Sequence, residues 1–151
     1  MRAPRKGFTI IELMIVIAIF AIAAATTLPF LGSFQQRETV TTVTQDVLRI
    51  LRTAQSKAMA GERDSDWGVR FEPEGYVLYA GNVYSERVKP LDRRHATPKT
   101  LLFFGSNDLN FVKGTGVPQS GSGFVRIDPP EGASTVITIN AAGGIFLEKS
   151  K

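Results

Sequence analysis

The sequence contains no cysteine, and its only histidine is His95. Without cysteine there can be no disulfide bond, no thiolate-bound metal and no thiol catalysis. A metal site built on histidines would need ligands of other kinds, because one imidazole cannot complete it alone. No arrangement of carboxylates, hydroxyls or glycines along the chain indicates an active site. We therefore predict that the protein is not an enzyme and holds no metal or cofactor.

Charge is nearly missing from the first part of the chain. Between positions 8 and 31 the only charged residue is Glu12, and residues 13–25 are apolar without interruption. A helix over positions 8–31 is long enough to cross the roughly 30 Å hydrocarbon core of a bilayer. A carboxylate inside such a helix costs on the order of 2.5 to 3.5 kcal/mol. We therefore expect Glu12 to have a partner and a purpose.

Three basic residues, Arg2, Arg5 and Lys6, precede the apolar segment. By the positive-inside rule they stay in the cytoplasm, and the chain after residue 31 lies on the other side of the membrane. They also account for most of the formal net charge of +4, since the other fifteen basic residues face fourteen acidic ones. A nearly neutral remainder is weak support for general binding of DNA.

An ordinary secretory signal is an alternative interpretation of the same segment. A basic start, an apolar core and the small residues 23–25 fit its pattern, and a soluble domain would then begin near Thr26. Glu12 counts against this interpretation, because it interrupts the segment that a signal peptide keeps uncharged. The Gly7-Phe8 junction, directly between the charges and the apolar run, also counts against it.

The stretch from Lys6 to Leu13, KGFTIIEL, resembles the prepilin processing signal of type IV pilins and type II secretion pseudopilins. The resemblance implies that the prepilin peptidase, a membrane aspartyl protease, cuts between Gly7 and Phe8 and methylates the new amino group of Phe8. It also implies a purpose for Glu12. In this family the carboxylate pairs with the terminal amine of a neighbouring subunit, so two unfavourable membrane charges become one tolerable pair.

The resemblance implies a structural subunit, a minor pilin or pseudopilin, in the bacterial inner membrane. A single span would place its N-terminus in the cytoplasm and its head outside. Its partners would be the prepilin peptidase, the inner-membrane assembly platform and other subunits of a type II secretion pseudopilus or a type IV pilus. An alternative makes the head a pilus-tip module for DNA uptake or adhesion. The candidate contacts to nucleic acid or another partner are then Arg87, Lys89, Arg93 and Arg94.

Two helical halves are predicted on either side of Pro29. Proline removes one helical hydrogen bond and disfavours helix at the residue before it, so we expect a kink, a melted turn or the helix end there. Type IV pilins carry a helix-breaking proline at the matching place. Beyond it, apolar residues at spacings of three and four predict one buried helix face: Val40, Val43, Val47, Leu51, Ala54 and Ala58. Gly61 can end this helix in a left-handed cap.

The remainder of the chain is predicted to be β structure. Short apolar runs separated by turn residues indicate an antiparallel sheet, with strands near 67–72, 76–81, 101–104, 109–112, 124–128, 135–140 and 145–149. The apolar helix face is the natural cover for one side of this small sheet. The predicted fold is α+β, with a leader over 1–7, a transmembrane half-helix over 8–31, an amphipathic half-helix over 32–61 and a β-rich head over 62–151.

Other motifs in the head have structural interpretations. Asp64-Ser65-Asp66 lacks the remaining ligands of a calcium loop and is predicted to be a turn. Lys113–Gly123 contains a GxG but no following Gly-Lys-Ser/Thr, so we expect a mobile loop. His95 lies in a basic stretch expected to be a solvated loop. The order of helix, Trp-Gly-Val strand and late Gly-Gly turn resembles the GspH/FimT-type minor pseudopilins.

Overall fold

The structure is a computed structural model that describes residues 7–130 and 132–149, without the side chains of residues 26–37 and 149. Within these ranges one long helix, α1, is followed by eight strands. Helix α1 is Ile10–Met59. The strands are β1 (Trp67–Glu72), β2 (Gly75–Ala80), β3 (Arg93–Ala96), β4 (Leu102–Gly105), β5 (Asp108–Phe111), β6 (Gly123–Asp128), β7 (Thr135–Ile139) and β8 (Ile145–Lys149). Single 3-10 turns lie at Glu62–Asp64, Tyr84–Glu86 and Lys89–Leu91.

The chain divides into two compact units, residues 1–37 and 38–151. Helix α1 is assigned at every residue of its range, Pro29 included, so neither the melted turn nor the helix end expected at Pro29 is found. Proline removes one N–H donor and crowds one carbonyl, a cost of about 3 kcal/mol, and the hydrogen bonds of the neighbouring turns remain. In the part of the chain that the structure describes, no helix combines the length and the apolar character needed to cross a membrane.

The strands form two sheets of four, and every pairing is antiparallel. The strand order is β3-β2-β1-β5 in the first sheet and β4-β6-β7-β8 in the second. The predicted α+β class and the antiparallel pairing are confirmed, but the prediction of a single small sheet is wrong. Turn residues mark where strands end, whereas the choice of partner depends on contacts between distant parts of the chain.

One hydrophobic core joins the second half of α1 to the inner faces of both sheets. Four residues of the predicted helix face are fully buried: Val47, Leu51, Ala54 and Ala58. Leu48 and Ile50 are buried as well. The covered face is wider than predicted because two sheets pack on it. The helix is followed by Gly61 with φ 63°, which is the predicted left-handed cap.

Strand β2 is buried on both faces. Tyr76 and Leu78 point into the core, whereas Tyr79 belongs to the opposite face. Residues 81–92 are here called the covering segment. Tyr84 of this segment packs on that outer face of the first sheet, whereas its Leu91 packs against the core. The ring of Tyr84 meets the ring of Tyr79 edge-on, with centroids 5.3 Å apart.

The stretch Arg93–Ala96 is strand β3, so the prediction of a solvated loop around His95 is wrong. Strand β3 pairs only with β2 and forms the edge of the first sheet. Charged residues are typical of edge strands, and they hide the apolar alternation by which a strand is recognised in sequence. The ring of His95 stacks on Tyr76, with centroids 5.1 Å apart, so the histidine has a packing role.

The glycine-rich segment Lys113–Gly123, expected to be a mobile loop, is hydrogen-bonded to α1 at Gly114 and Gly116. The side chain of Gln55 donates hydrogen bonds to the carbonyl oxygens of Gly116 at 3.0 Å and Gly143 at 2.7 Å. The backbone N–H of Gly114 donates to the carbonyl of Ala58 at 2.8 Å. These hydrogen bonds tie two surface turns to the end of the helix.

Candidate functional site

The N-terminal motif lies where chain without regular secondary structure becomes helix. Gly7, Phe8 and Thr9 precede α1 and have no regular secondary structure. The backbone N–H of Glu12 donates to the hydroxyl oxygen of Thr9 at 3.3 Å, and the N–H of Leu13 donates to the Thr9 carbonyl at 3.2 Å. Thr9 is therefore the N-cap of the helix, since its side chain satisfies one of the four N–H groups that lack a helical acceptor.

The role of Thr9 was missed in the sequence, although a signal for it is present. Thr9-Ile10-Ile11-Glu12 has the Thr-x-x-Glu spacing of a capping box, which places an acidic residue three positions after the cap. Glu12 thus stands in the first turn of α1, where the helix dipole favours a negative charge. This local effect is an explanation of Glu12 that does not need a second subunit.

Apolar side chains of the first unit are exposed in the isolated chain. Phe8 is 86% exposed, and the large apolar residues from Ile10 to Ile22 are all exposed too. Exposed apolar surface on this scale marks a site that another surface covers. The leader residues Arg2, Arg5 and Lys6 lie outside the described residues, as does the side chain of Pro29.

Arg87, a candidate nucleic-acid contact, is engaged inside the head. Its Nε donates to Asp92 Oδ2 at 2.8 Å, and its Nη1 donates to the carbonyl of Tyr84 at 2.8 Å. The guanidinium also lies 3.8 Å from the centroid of the Tyr84 ring. The hydrogen bond to Asp92 raises the pKa of Arg87 above its usual value. Arg87 fastens the covering segment, and its contact with nucleic acid or another partner stays a prediction.

The other three candidate contacts differ in their surroundings. Arg94 is exposed and donates to Glu72 at 3.3 Å, an arrangement that contributes little to stability. Lys89 and Arg93 are exposed, and neither forms an ion pair within the described part of the chain. Two of the four predicted cations therefore already have acidic partners.

The carboxylates of the Asp64-Ser65-Asp66 stretch are hydrogen-bonded to one residue across the head. Lys113 Nζ donates to Asp64 at 2.9 Å, and the backbone N–H of Lys113 donates to Asp66 at 2.7 Å. The hydrogen bond from Lys113 lowers the pKa of Asp64. The predicted turn is confirmed, because a 3-10 turn ends at Asp64 and β1 begins at Trp67.

Comparison with known proteins gives three likenesses. Residues 2–28 match the prokaryotic N-terminal methylation motif. Two fimbrial proteins of Pseudomonas aeruginosa are 27% identical over 124 residues, which cover 77% of this chain and 79% of each relative. The crystal structure of the type IV minor pilin FimU from P. aeruginosa strain PAO1 has the same fold, with a TM-score of 0.60 and 21% identity over 76% of this chain and 92% of that one.

The likenesses differ in extent. The motif covers the Gly7-Phe8 junction and the start of α1, whereas the fold comparison covers 76% of the chain. The methylation motif, the fimbrial relatives and the minor-pilin fold together support the assignment of this chain to the type IV pilin family.

Proposed function

We propose that the protein is a minor-pilin-like structural subunit, processed between Gly7 and Phe8 and assembled into a type IV pilus. The type IV pilin family is a family of structural subunits and not of enzymes. The observation that carries the proposal is the position of the helix start. Because α1 begins at Ile10, the bond to be cut lies in chain without regular secondary structure directly before the helix, and Glu12 lies in the first turn.

Processing requires a peptide bond that a protease can reach. Gly7 and Phe8 are both exposed and precede the helix, and exposed chain without regular hydrogen bonds is the preferred site of proteolysis. Cleavage leaves the terminal amine on Phe8 and keeps the Thr9 cap, so the mature helix still begins at Ile10. Methylation of that amine retains its positive charge.

Assembly brings the Phe8 amine of one subunit beside Glu12 of the next. In apolar surroundings a lone carboxylate and a lone ammonium are each costly, and pairing them removes most of that cost. Glu12 as a capping residue needs only a hydrogen-bonding side chain, which glutamine also has. The capping-box and pairing explanations therefore differ in whether the charge of Glu12 is required, and the dipole effect that also favours a charge here is the smaller one.

The exposed apolar surface of residues 8–25 supports a place in the bacterial inner membrane before assembly and among neighbouring helices afterwards. The basic leader then stays in the cytoplasm and the head lies outside. The assembly platform would draw the subunit from the lipid into the filament. Pro29 marks the weakest hydrogen bonding of α1, so the helix opens there if it opens during assembly.

The fimbrial relatives favour a type IV pilus over a secretion pseudopilus. The alternative of a DNA-binding tip module has lost support, because Arg87 and Arg94 have acidic partners in the head. The alternative of an ordinary secretory signal does not explain the methylation motif over residues 2–28.

The proposal is tested by mass spectrometry of the mature N-terminus and by pilus content. The full chain is purified from native membranes, and pili are sheared from cells that express wild type, Glu12→Gln or Glu12→Ala. We expect N-methylated Phe8 in all three, and wild type alone in the sheared pili, because glutamine can cap the helix but cannot pair with an amine.

A mature terminus near Thr26 would overturn the proposal in favour of a secreted soluble domain. Normal incorporation of Glu12→Gln with loss of Glu12→Ala would show that Glu12 acts only as a cap. Correct processing without any wild-type protein in sheared pili would exclude the pilus and leave the secretion pseudopilus.

A further inference from the structure

A small cavity of about 220 Å³ opens on the head beside the end of α1. The turn that follows the helix forms one wall, and the covering segment forms another through Pro90 and Leu91. Trp67, the only tryptophan of the chain, lies in the lining. The cavity therefore combines an apolar wall with the charged residues described next.

Three of these charged residues, Lys57, Glu62 and Asp92, are neutralised by oppositely charged neighbours. Lys57 donates to Glu62 at 2.6 Å and lies 4.5 Å from the centroid of the Trp67 ring. Asp92 accepts from Arg87 through Oδ2, and its Oδ1 is buried without a hydrogen-bond partner among the described residues. Glu62 and Asp92, the two carboxylates of the cavity, are thus paired with neither Arg63 nor Arg93.

Arg63 and Arg93 are the cations that remain at this cavity. Both side chains line it, both residues are exposed, and neither has an ion pair in the described ranges. Each is held by its backbone: Arg63 has a left-handed φ of 61°, and Arg93 pairs with Leu78 in the first sheet. The ordering cost of binding is then confined to the two exposed side chains.

We propose that this cavity binds one carboxylate of a partner protein, an acidic side chain held between the guanidinium groups of Arg63 and Arg93. The planar fork of guanidinium N–H donors matches the two oxygens of a carboxylate. The side chains of Pro90 and Leu91 offer apolar contact to the methylene groups that carry it. The partner of this site would be another filament subunit, and only that identification rests on the proposed function.

A nucleic acid fits the cavity less well than a single carboxylate does. Binding of a phosphate backbone uses a row of unpaired cations along a groove. Here Glu62 and Asp92 lie in the lining and repel a chain of phosphates, and the nearby Arg87 and Arg94 are engaged with carboxylates of the head. The unpaired positive charge of Arg63 and Arg93 is enough to bind one anionic group but not a chain of phosphates.

Trp67 provides a direct readout, because a ligand in the cavity changes the surroundings of the only indole. We would titrate the full chain in mild detergent with a hexaglutamate peptide and follow the tryptophan emission. The variant is Arg63→Gln with Arg93→Gln, and the matched control is Arg94→Gln, which removes an exposed arginine outside this cavity. We expect saturable binding by wild type and control, and a loss of affinity of at least about 10-fold in the double variant.

Four results would overturn the inference: no saturable change with wild type, an unchanged affinity in the double variant, equal binding of acetate and hexaglutamate, or tighter binding of a twelve-residue oligothymidylate than of hexaglutamate. The last result would assign the cavity to nucleic acid. Inorganic phosphate and acetate distinguish an ion effect from peptide recognition. Far-UV circular dichroism confirms that the variants are folded. Because the titration does not use pili, its outcome is independent of the cleavage and assembly tests.

Discussion

At the scale of residues, neighbours in space decide what a charged side chain does. Arg87, Arg93 and Arg94 lie within eight positions of one another in the sequence and resemble one basic patch. In the structure one fastens the covering segment, one pairs with Glu72, and one lines a cavity without an acidic partner. Residue type predicted their charge, but only the contacts distinguish their roles.

Replacing Arg87 with alanine should destabilise the head by about 2 kcal/mol, because it leaves the Asp92 carboxylate, 11% exposed, without its partner. Arg94→Ala is the matched control and should change the free energy of unfolding by less than about 0.5 kcal/mol. Urea unfolding of the full chain in mild detergent measures both. Equal effects of the two variants would contradict a structural role for Arg87.

Asp108 should make the head less stable as the pH rises. Burial raises its pKa, although a hydrogen bond from the Tyr79 hydroxyl at 2.6 Å and the charge of Arg70 oppose the shift. The folded protein therefore holds this proton more tightly than the unfolded chain, and stability falls between the unfolded pKa, near 3.9, and the higher folded one.

The stability difference between wild type and Asp108→Asn should accordingly shift against wild type as the pH rises above the unfolded pKa. Asp64→Asn gives the opposite sign, because the hydrogen bond from Lys113 lowers the pKa of Asp64 and its contribution is lost as the pH falls. Urea unfolding at several pH values measures both differences. A stability difference between wild type and Asp108→Asn that does not change with pH would contradict the raised pKa of Asp108 in the folded protein.

At the scale of elements, the turns of the head depend on α1 for their position. Gln55 holds two of them through the carbonyls of Gly116 and Gly143, residues 61 and 88 positions away. Gly116 has φ 67°, and a Cβ there would collide with the side chain of Met59. The conformation of the glycine-rich loop thus depends on its close approach to the helix as well as on the positive φ that glycine permits.

Gly116→Ala should therefore cost more stability than Gly114→Ala. Gly114 also has a positive φ, 80°, but nothing lies within 4 Å of a Cβ at that position. We expect about 1–2 kcal/mol for Gly114→Ala from the backbone alone, and about 1–3 kcal/mol in addition for Gly116→Ala from the collision. Thermal unfolding of the full chain measures the difference. Equal losses would mean that the loop does not press on the helix.

At the scale of the whole molecule, one core makes the head a single cooperative unit. The same face of α1 packs against β1 and β2 of the first sheet and against β6 and β7 of the second. Loss of helix packing should therefore weaken both sheets together, because neither sheet has a separate core among the described residues.

Leu51→Ala should lower the free energy of unfolding by about 2–5 kcal/mol, since the side chain is fully buried and leaves a cavity. Arg52→Ala, one position later on the exposed face, should change it by less than about 0.5 kcal/mol. Hydrogen exchange with mass spectrometry should show β1 and β7 losing protection to the same degree. Loss confined to one sheet would contradict the shared core.

Features that depend on adjacent residues were determined by the sequence alone. The order of adjacent residues defines the junction at Gly7-Phe8, the apolar segment with its lone Glu12 and the Gly61 cap. The helical period defines the buried helix face. Most strand positions could be predicted for the same reason, because alternation and turn residues are local. Thr9 was also predictable from the capping-box spacing, but was overlooked.

The tertiary structure alone decided how these pieces combine. Neighbouring residues did not predict that the strands form two sheets or that the charged stretch Arg93–Ala96 is an edge strand. Nor did they predict that α1 continues through Pro29 or that the arginines have different contacts. Each depends on contacts between distant parts of the chain or on the stability that surrounding turns lend to an unfavourable residue. Local periodicity carries no record of such contacts, so only the folded chain determines them.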